Sequence, residues 1–143
     1  MKISAKGRYA LRLMVDLAQH DNGEWIALKD ISLRQGISVK YLEQIVSGLS
    51  RAGLLRSSRG AAGGYQLTRN ASQYTAGEII RALEGSLAPV ACLDQEPNRC
   101  PRCDICPTIK LWEGLYDVVN QYLDSFTLAD IAEAEIPAYD FSI

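Results

Sequence analysis

All four cysteines of the 143-residue chain fall within fifteen residues, spaced Cys92-x7-Cys100-x2-Cys103-x2-Cys106 and followed by Pro107. Thiolates two residues apart can converge on one centre, and C-x2-C-x2-C is a run that bacterial ferredoxins use for iron-sulfur clusters. The start of the chain, MKISAKGRYALRLM, is basic and amphipathic without a signal-type hydrophobic region, and no apolar run approaches the roughly 18–20 residues that span a bilayer. The expected setting is therefore the cytoplasm with no membrane association, where clustered cysteines argue for metal or redox chemistry rather than a structural disulfide. Spacing leaves three chemistries open. Cys100, Cys103 and Cys106 with Cys92 as fourth ligand suit an iron-sulfur cluster (2Fe–2S or 4Fe–4S); four thiolates equally satisfy tetrahedral zinc; a reversible disulfide needs only two of them. Arg99 and Arg102 flank the thiols and could offset a cluster's negative charge or lower thiol pKa values. His20, the only histidine, reads as a solvated charge at the end of a helix rather than a ligand.

A second set of residues has the chemistry of nucleic-acid recognition. Val39, Leu42, Ile45, Val46, Leu49 and Leu54 recur at three- and four-residue steps, Ser38 can cap the first turn, and Gly53 stands where a left-handed stop is expected. This spacing predicts a helix with one packed face. Its other face carries Lys40, Tyr41, Glu43, Gln44, Ser47 and Arg51, side chains able to reach phosphates or base edges in a major groove. Upstream, Leu28, Ile31 and Ser32 on a short helix lead into Gln35-Gly36-Ile37, a turn suited to joining two crossed helices. Downstream, Leu54–Ser57 and Tyr65–Thr68 read as strands joined by Ser58–Gly64, whose three glycines permit a tight tip. That tip carries Arg59, which fits the negative potential of a narrow minor groove. The outline is a winged helix-turn-helix.

The elements that must position these residues follow from charge and periodicity. Residues 1–70 hold eleven Lys and Arg against five Asp and Glu, a net of +6; residues 71–143 hold four against twelve, a net of −8. DNA is expected to meet only the basic half, which supplies the counterion-release term of affinity. A first helix is predicted over Ser4–His20 with Tyr9, Leu11, Leu13, Met14, Leu17 and Ala18 inward. Trp25-Ile26-Ala27 reads as a third short strand of the wing. Another helix begins at Thr75, where Thr75-Ala76-Gly77-Glu78 fits a capping box, and ends near Gly85. The last long helix, about Thr108–Ser125, places Trp112, Leu115, Val119, Tyr122 and Phe126 on one side. Too little chain remains to cover that stripe, so a second copy of the chain is the expected partner. Thr127-Leu128-Ala129-Asp130 can cap a final short helix. No Ser-His-Asp set, phosphate loop or paired carboxylate site occurs, and one histidine severely limits acid-base chemistry; an enzyme is not expected.

Nearly the whole chain resembles the Rrf-two family of bacterial winged-helix repressors. The resemblance is carried by KGRYA (Lys6–Ala10), GIS (Gly36–Ser38), YLEQ (Tyr41–Gln44), RG-x-x-GGY (Arg59–Tyr65) and TAGEII-x-x-LEG (Thr75–Gly85). It implies that the helix with Glu43 and Gln44 enters the major groove, that Arg59 enters the minor groove, and that dimers form through the long C-terminal helix. Cluster-binding members carry three cysteines in this loop, some with a following tryptophan, and Cys92, Cys100, Cys106 and Trp112 fit; the resemblance thus favours an iron-sulfur cluster. The first gap is longer here and Cys103 is additional. Ile109 stands where the iron-sulfur assembly branch has a histidine, and Arg8 where other branches have an acid, so Cys103 is the expected fourth ligand. The cysteine-metabolism branch resembles this chain in the LEG segment and in the ending Ala138–Ile143. That branch's regulator works with cysteine synthase, for which Ile143 and its carboxylate would form a docking peptide.

The sequence therefore reads as mainly α with a small β-wing. Residues 1–85 form a winged helix-turn-helix, 86–107 a cysteine-rich sensor loop, and 108–143 a dimerisation helix and tail. A homodimer is expected to repress from an imperfect palindrome of double-stranded DNA. Lys2, Lys6, Arg8, Lys40, Arg51 and Arg56 would sit chiefly on phosphates, with Tyr41 beside them, while Glu43, Gln44 and Arg59 read the grooves. The sensed quantity is iron-sulfur or redox status; the alternative is cysteine metabolism, through thiol oxidation, zinc or cysteine synthase.

Overall fold

The first helix, α1 (Ala5–Gln19), starts where the Ser4 side chain accepts the Gly7 amide, and it buries Ala10, Leu13, Met14 and Leu17. Tyr9, Leu11 and Ala18, expected inward, lie half-covered at the edge of the same core. The computed structural model describes residues 2–134, so the ending Ala138–Ile143 and its expected docking role lie outside the described residues.

The helix-turn-helix consists of α2 (Leu28–Gln35) and α3 (Val39–Arg51). Ser38 caps α3 by accepting the Tyr41 amide at 3.2 Å, and Leu42, Ile45, Val46 and Leu49 face the core. Val39, expected to pack, is exposed: it occupies the first position of the helix, ahead of the turns that reach the core. Gly53, at φ +77°, ends the helix and turns the chain into β1 (Leu55–Ser58), which pairs antiparallel with β2 (Gly64–Leu67) in the register Leu55↔Leu67 to Ser58↔Gly64. The expected third strand is reduced to a single bridge, Ile26↔Tyr65, because Ala27 already serves as the N-cap of α2. Gly64 is required at that bridge: a Cβ there would collide with the Ile26 backbone.

Tyr74 fastens the wing to the core. It is fully buried, its hydroxyl donates to the Leu54 carbonyl at 2.8 Å, and it accepts from the amides of Thr68 (2.8 Å) and Arg69 (3.1 Å). Next, α4 (Ala76–Glu84) begins with Thr75 accepting the Glu78 amide at 3.0 Å. The reciprocal half of the expected capping box is absent, because the Glu78 carboxylate is held by Arg69 at 2.6 Å.

The long helix, α5 (Ile109–Asp124), buries no residue within the chain. Polar contacts hold it to α4: Arg81 to Asp124 at 2.5 Å, Arg81 to Asn120 at 3.1 Å, and Thr75 to Asp124 at 3.1 Å. Its apolar side is left outward. The expected stripe splits: Leu115, Tyr122 and Phe126 are exposed as anticipated, Trp112 and Val119 are half-covered, and Leu111 and Val118 (64% and 62% exposed) join the open face instead. The chain returns through α6 (Leu128–Ala132), capped by the reciprocal pair Thr127 and Asp130, and Leu128 enters the core beside α1. Among the described residues, no helix is long and apolar enough to cross a membrane.

Candidate nucleic-acid interface and cysteine loop

With Leu42, Ile45, Val46 and Leu49 turned inward, helical geometry turns the intervening positions of α3 outward. Lys40, Glu43, Gln44, Ser47 and Arg51 are all exposed. Glu43 and Gln44 make no side-chain hydrogen bond among the described residues, so their polar groups are free for another molecule. Arg51 touches Ser47 at 3.5 Å. Tyr41 is half-buried, edge-on to Tyr9 with ring centroids 5.7 Å apart, and so spends part of its surface joining α3 to α1.

Lys2 and Arg8 are exposed around the start of α1, whereas Lys6 is half-covered. Arg12 was not anticipated. Its guanidinium lies 5.3 Å from the Tyr9 ring centroid, close to Arg8 at 6.0 Å from the same ring. Its i, i+4 spacing from Arg8 was the available signal. The wing presents Arg59 immediately before the turn closed by the Gly63 amide on the Gly60 carbonyl at 3.0 Å, and the side chain is exposed. Arg56, expected on phosphate, is exposed but engaged: it lies 5.8 Å from the Trp25 ring and donates to Gln66 at 3.0 Å, while Gln66 donates to the Gly23 carbonyl at 3.0 Å. It braces the wing against the segment before α2.

All four cysteines are free thiols and half-buried. Cys92 and Cys100 line, with Gln95 and Arg99, an open cleft of about 300 Å³. Cys103 Sγ lies 3.8 Å from the Asn98 carbonyl and 3.8 Å from the Asp104 carboxylate; Cys106 Sγ lies 3.3 Å from the Thr108 hydroxyl. Desolvation pushes the Cys103 thiol up, and the Asp104 charge and hydrogen bond and the neighbouring Cys100 add to it. Cys106 is pulled down by the Thr108 hydroxyl and amide, then by the Ile109 amide at the start of α5 and the Arg102 charge. The donors suit a thiophilic group in kind and number. Among the described residues no three His, Cys, Asp or Glu side chains are already gathered as a metal site. Cys103 and Cys106 each turn to separate local partners. His20 stands at the C-cap of α1 with Nδ1 2.8 Å from the Asp16 carbonyl.

Comparison with known proteins brings the two halves of the site under one heading. The family described as Rrf2, iron-dependent transcriptional regulator, matches residues 3–134. The HTH-type transcriptional regulator CymR of Bacillus subtilis strain 168 is 44% identical over 147 aligned positions, covering 100% of both chains. The HTH-type transcriptional regulator IscR of Pectobacterium atrosepticum is 40% identical over 131, covering 92% of this chain and 79% of that one. The solved structure of CymR, the global cysteine regulator of B. subtilis, superposes with a TM-score of 0.76 at 44% identity, covering 95% of this chain and 99% of that chain.

Proposed function

The chain belongs to the Rrf2 family of DNA-binding transcriptional regulators, and from that premise we propose that it is a cytoplasmic homodimeric repressor whose cysteine loop governs its hold on DNA. It is a regulator, not an enzyme. The observation that carries the reading is the outward face of α3, where Glu43 and Gln44 stand free between Lys40 and Arg51, next to a wing that exposes Arg59.

In this proposal α3 enters the major groove and Arg59 the minor groove. Lys2, Lys6, Arg8, Lys40 and Arg51 supply phosphate contacts, Tyr41 lies at their margin, and Arg56 acts chiefly by bracing the wing. Phosphate contacts fix register while base-edge contacts specify sequence. The outward apolar face of α5 closes against a second copy, which places two reading heads on an imperfect palindrome. The three-part division into reading head (1–85), sensor loop (86–107) and dimerisation segment (108–143) belongs to the same proposal.

Cys92, Cys100, Cys103 and Cys106 would hold the iron-sulfur cluster, which when bound would supply redox sensitivity. The loop's own contribution is positional: Cys106 bonds Thr108, the residue that opens α5, so any change at that thiol is felt where the dimerisation helix begins. The second reading, a response to cysteine metabolism through thiol oxidation, zinc or a cysteine synthase partner, is favoured by the full-length 44% identity with CymR.

Purification without oxygen, with a visible spectrum and iron, sulfide and zinc content, decides between them. Brown protein with stoichiometric iron and sulfide supports the cluster. Colourless protein after attempted reconstitution moves sensing to zinc, thiols or the partner enzyme and leaves DNA binding intact.

A further inference from the structure

The geometry points to Asp16 as the residue that sets the orientation of the recognition helix, a role separate from holding the fold together and resting on the reading of α3 as the DNA-reading element. Asp16 is the buried charged side chain of the core, with no exposed surface. It lies on α1 but spends its carboxylate on α2. Arg34 donates through Nε at 3.0 and 3.3 Å and through Nη2 at 2.7 Å, and Gln35 donates at 2.9 Å. His20 Nδ1 lies 3.6 Å away.

Gln35 is the last residue of α2 and is gripped from its other side by Arg12, which donates to its side-chain oxygen at 3.2 Å and to its main-chain carbonyl. Three residues later Ser38 caps α3; between them the Ser32 hydroxyl holds the Ile37 carbonyl at 2.5 Å. Asp16 therefore fixes the end of the element from which α3 departs. The apolar contacts of Ile31, Ile37 and Leu42 bring the helices together but are non-directional. A forked guanidinium–carboxylate pair prescribes an angle. Removing one partner of such a pair is costly because the other is left unmatched, but an apolar replacement of both is often neutral, so conformational specificity is the better account of why this pair is here.

The test compares wild type, Asp16→Asn and Arg34→Gln on the duplex that wild type enriches from a random-sequence pool and on a scrambled duplex. Circular dichroism at the assay temperature gives the folded fraction of each. Arg34, 35% exposed, provides the variant that keeps the test alive if Asp16→Asn does not fold. The expected result is a fall of at least about tenfold in the preference for the enriched duplex, from a specific-to-non-specific ratio that usually exceeds about 10³. Affinity for the scrambled duplex should stay within about twofold, since its phosphate contacts remain. Unchanged preference in the folded variants overturns the inference, as does a parallel fall on both duplexes that follows the loss of folded protein. A wild type that enriches no sequence overturns the reading of α3, and the inference with it.

Discussion

Single side chains in this protein do their work by accepting bonds that the sequence does not advertise. The Asp16 carboxyl illustrates the balance: burial alone pushes its pKa up, but the bonds from Arg34 and Gln35 and the charges of Arg34 and His20 outweigh it and hold it below the ordinary 3.8. A carboxyl lowered by folding contributes stability above its unfolded pKa and loses it as pH falls through the folded value. Asp16→Asn is therefore expected to be less stable than wild type at neutral pH, by about 2 kcal/mol. Urea titrations should show that gap closing as pH drops below 3.8; a constant gap from neutral to acid would contradict the assignment. Tyr74→Phe removes one hydroxyl and strands the Leu54 carbonyl and the Thr68 and Arg69 amides. A loss of about 1–3 kcal/mol is expected in the same titration. Neither partner set was legible, because Asp16 reaches Arg34 and Gln35 and Tyr74 reaches Leu54, all far along the chain. The loop cysteines were legible as a group but not in their contacts, which depend on how the loop lies.

At the scale of elements, local chemistry matched its product wherever a few neighbouring residues suffice. Ser38 and Thr127 cap the helices they precede, and Gly53 turns the chain from α3 into the wing. Expectation failed where another group competed: Arg69 takes the Glu78 carboxylate from the capping box, and the adjoining α2 claims Ala27 from a third strand. The reading head makes two predictions. Arg59→Ala should weaken binding, most at sites whose minor groove is narrow. Glu43→Ala should leave overall affinity nearly unchanged and relax the preference at its base, by about 1–3 kcal/mol, because an acid among phosphates discriminates rather than attracts. Competition assays with singly substituted duplexes at two salt concentrations read both, and an unaltered base preference in Glu43→Ala would remove that residue from the reading set.

The whole molecule is polarised, with a basic amino-terminal half and an acidic remainder, so binding should decline steeply with salt through the α1–wing surface alone. Its second large-scale feature is α5, tied to α4 by the Arg81–Asp124 and Arg81–Asn120 contacts on one side and open along Leu111, Leu115, Val118 and Tyr122 on the other. Those four positions follow a three- and four-residue repeat, the seam geometry of paired helices. Val118→Asp should halve the molar mass measured by light scattering and reduce affinity for a palindrome far more than for a half-site. A variant that keeps the wild-type mass would place the dimer contact elsewhere.

What the sequence determined by itself is what short-range periodicity and residue chemistry determine: the helices, the wing, the basic face and the clustering of thiols, each written into neighbours a few positions apart. Tertiary structure alone decided which face of α5 remains open, where the Arg56 guanidinium goes, that Asp16 is buried under α2, and that Cys103 and Cys106 turn to separate local partners. The first three outcomes turn on competition among groups far apart in the chain, and a partner present only after folding settles where each side chain spends its charge.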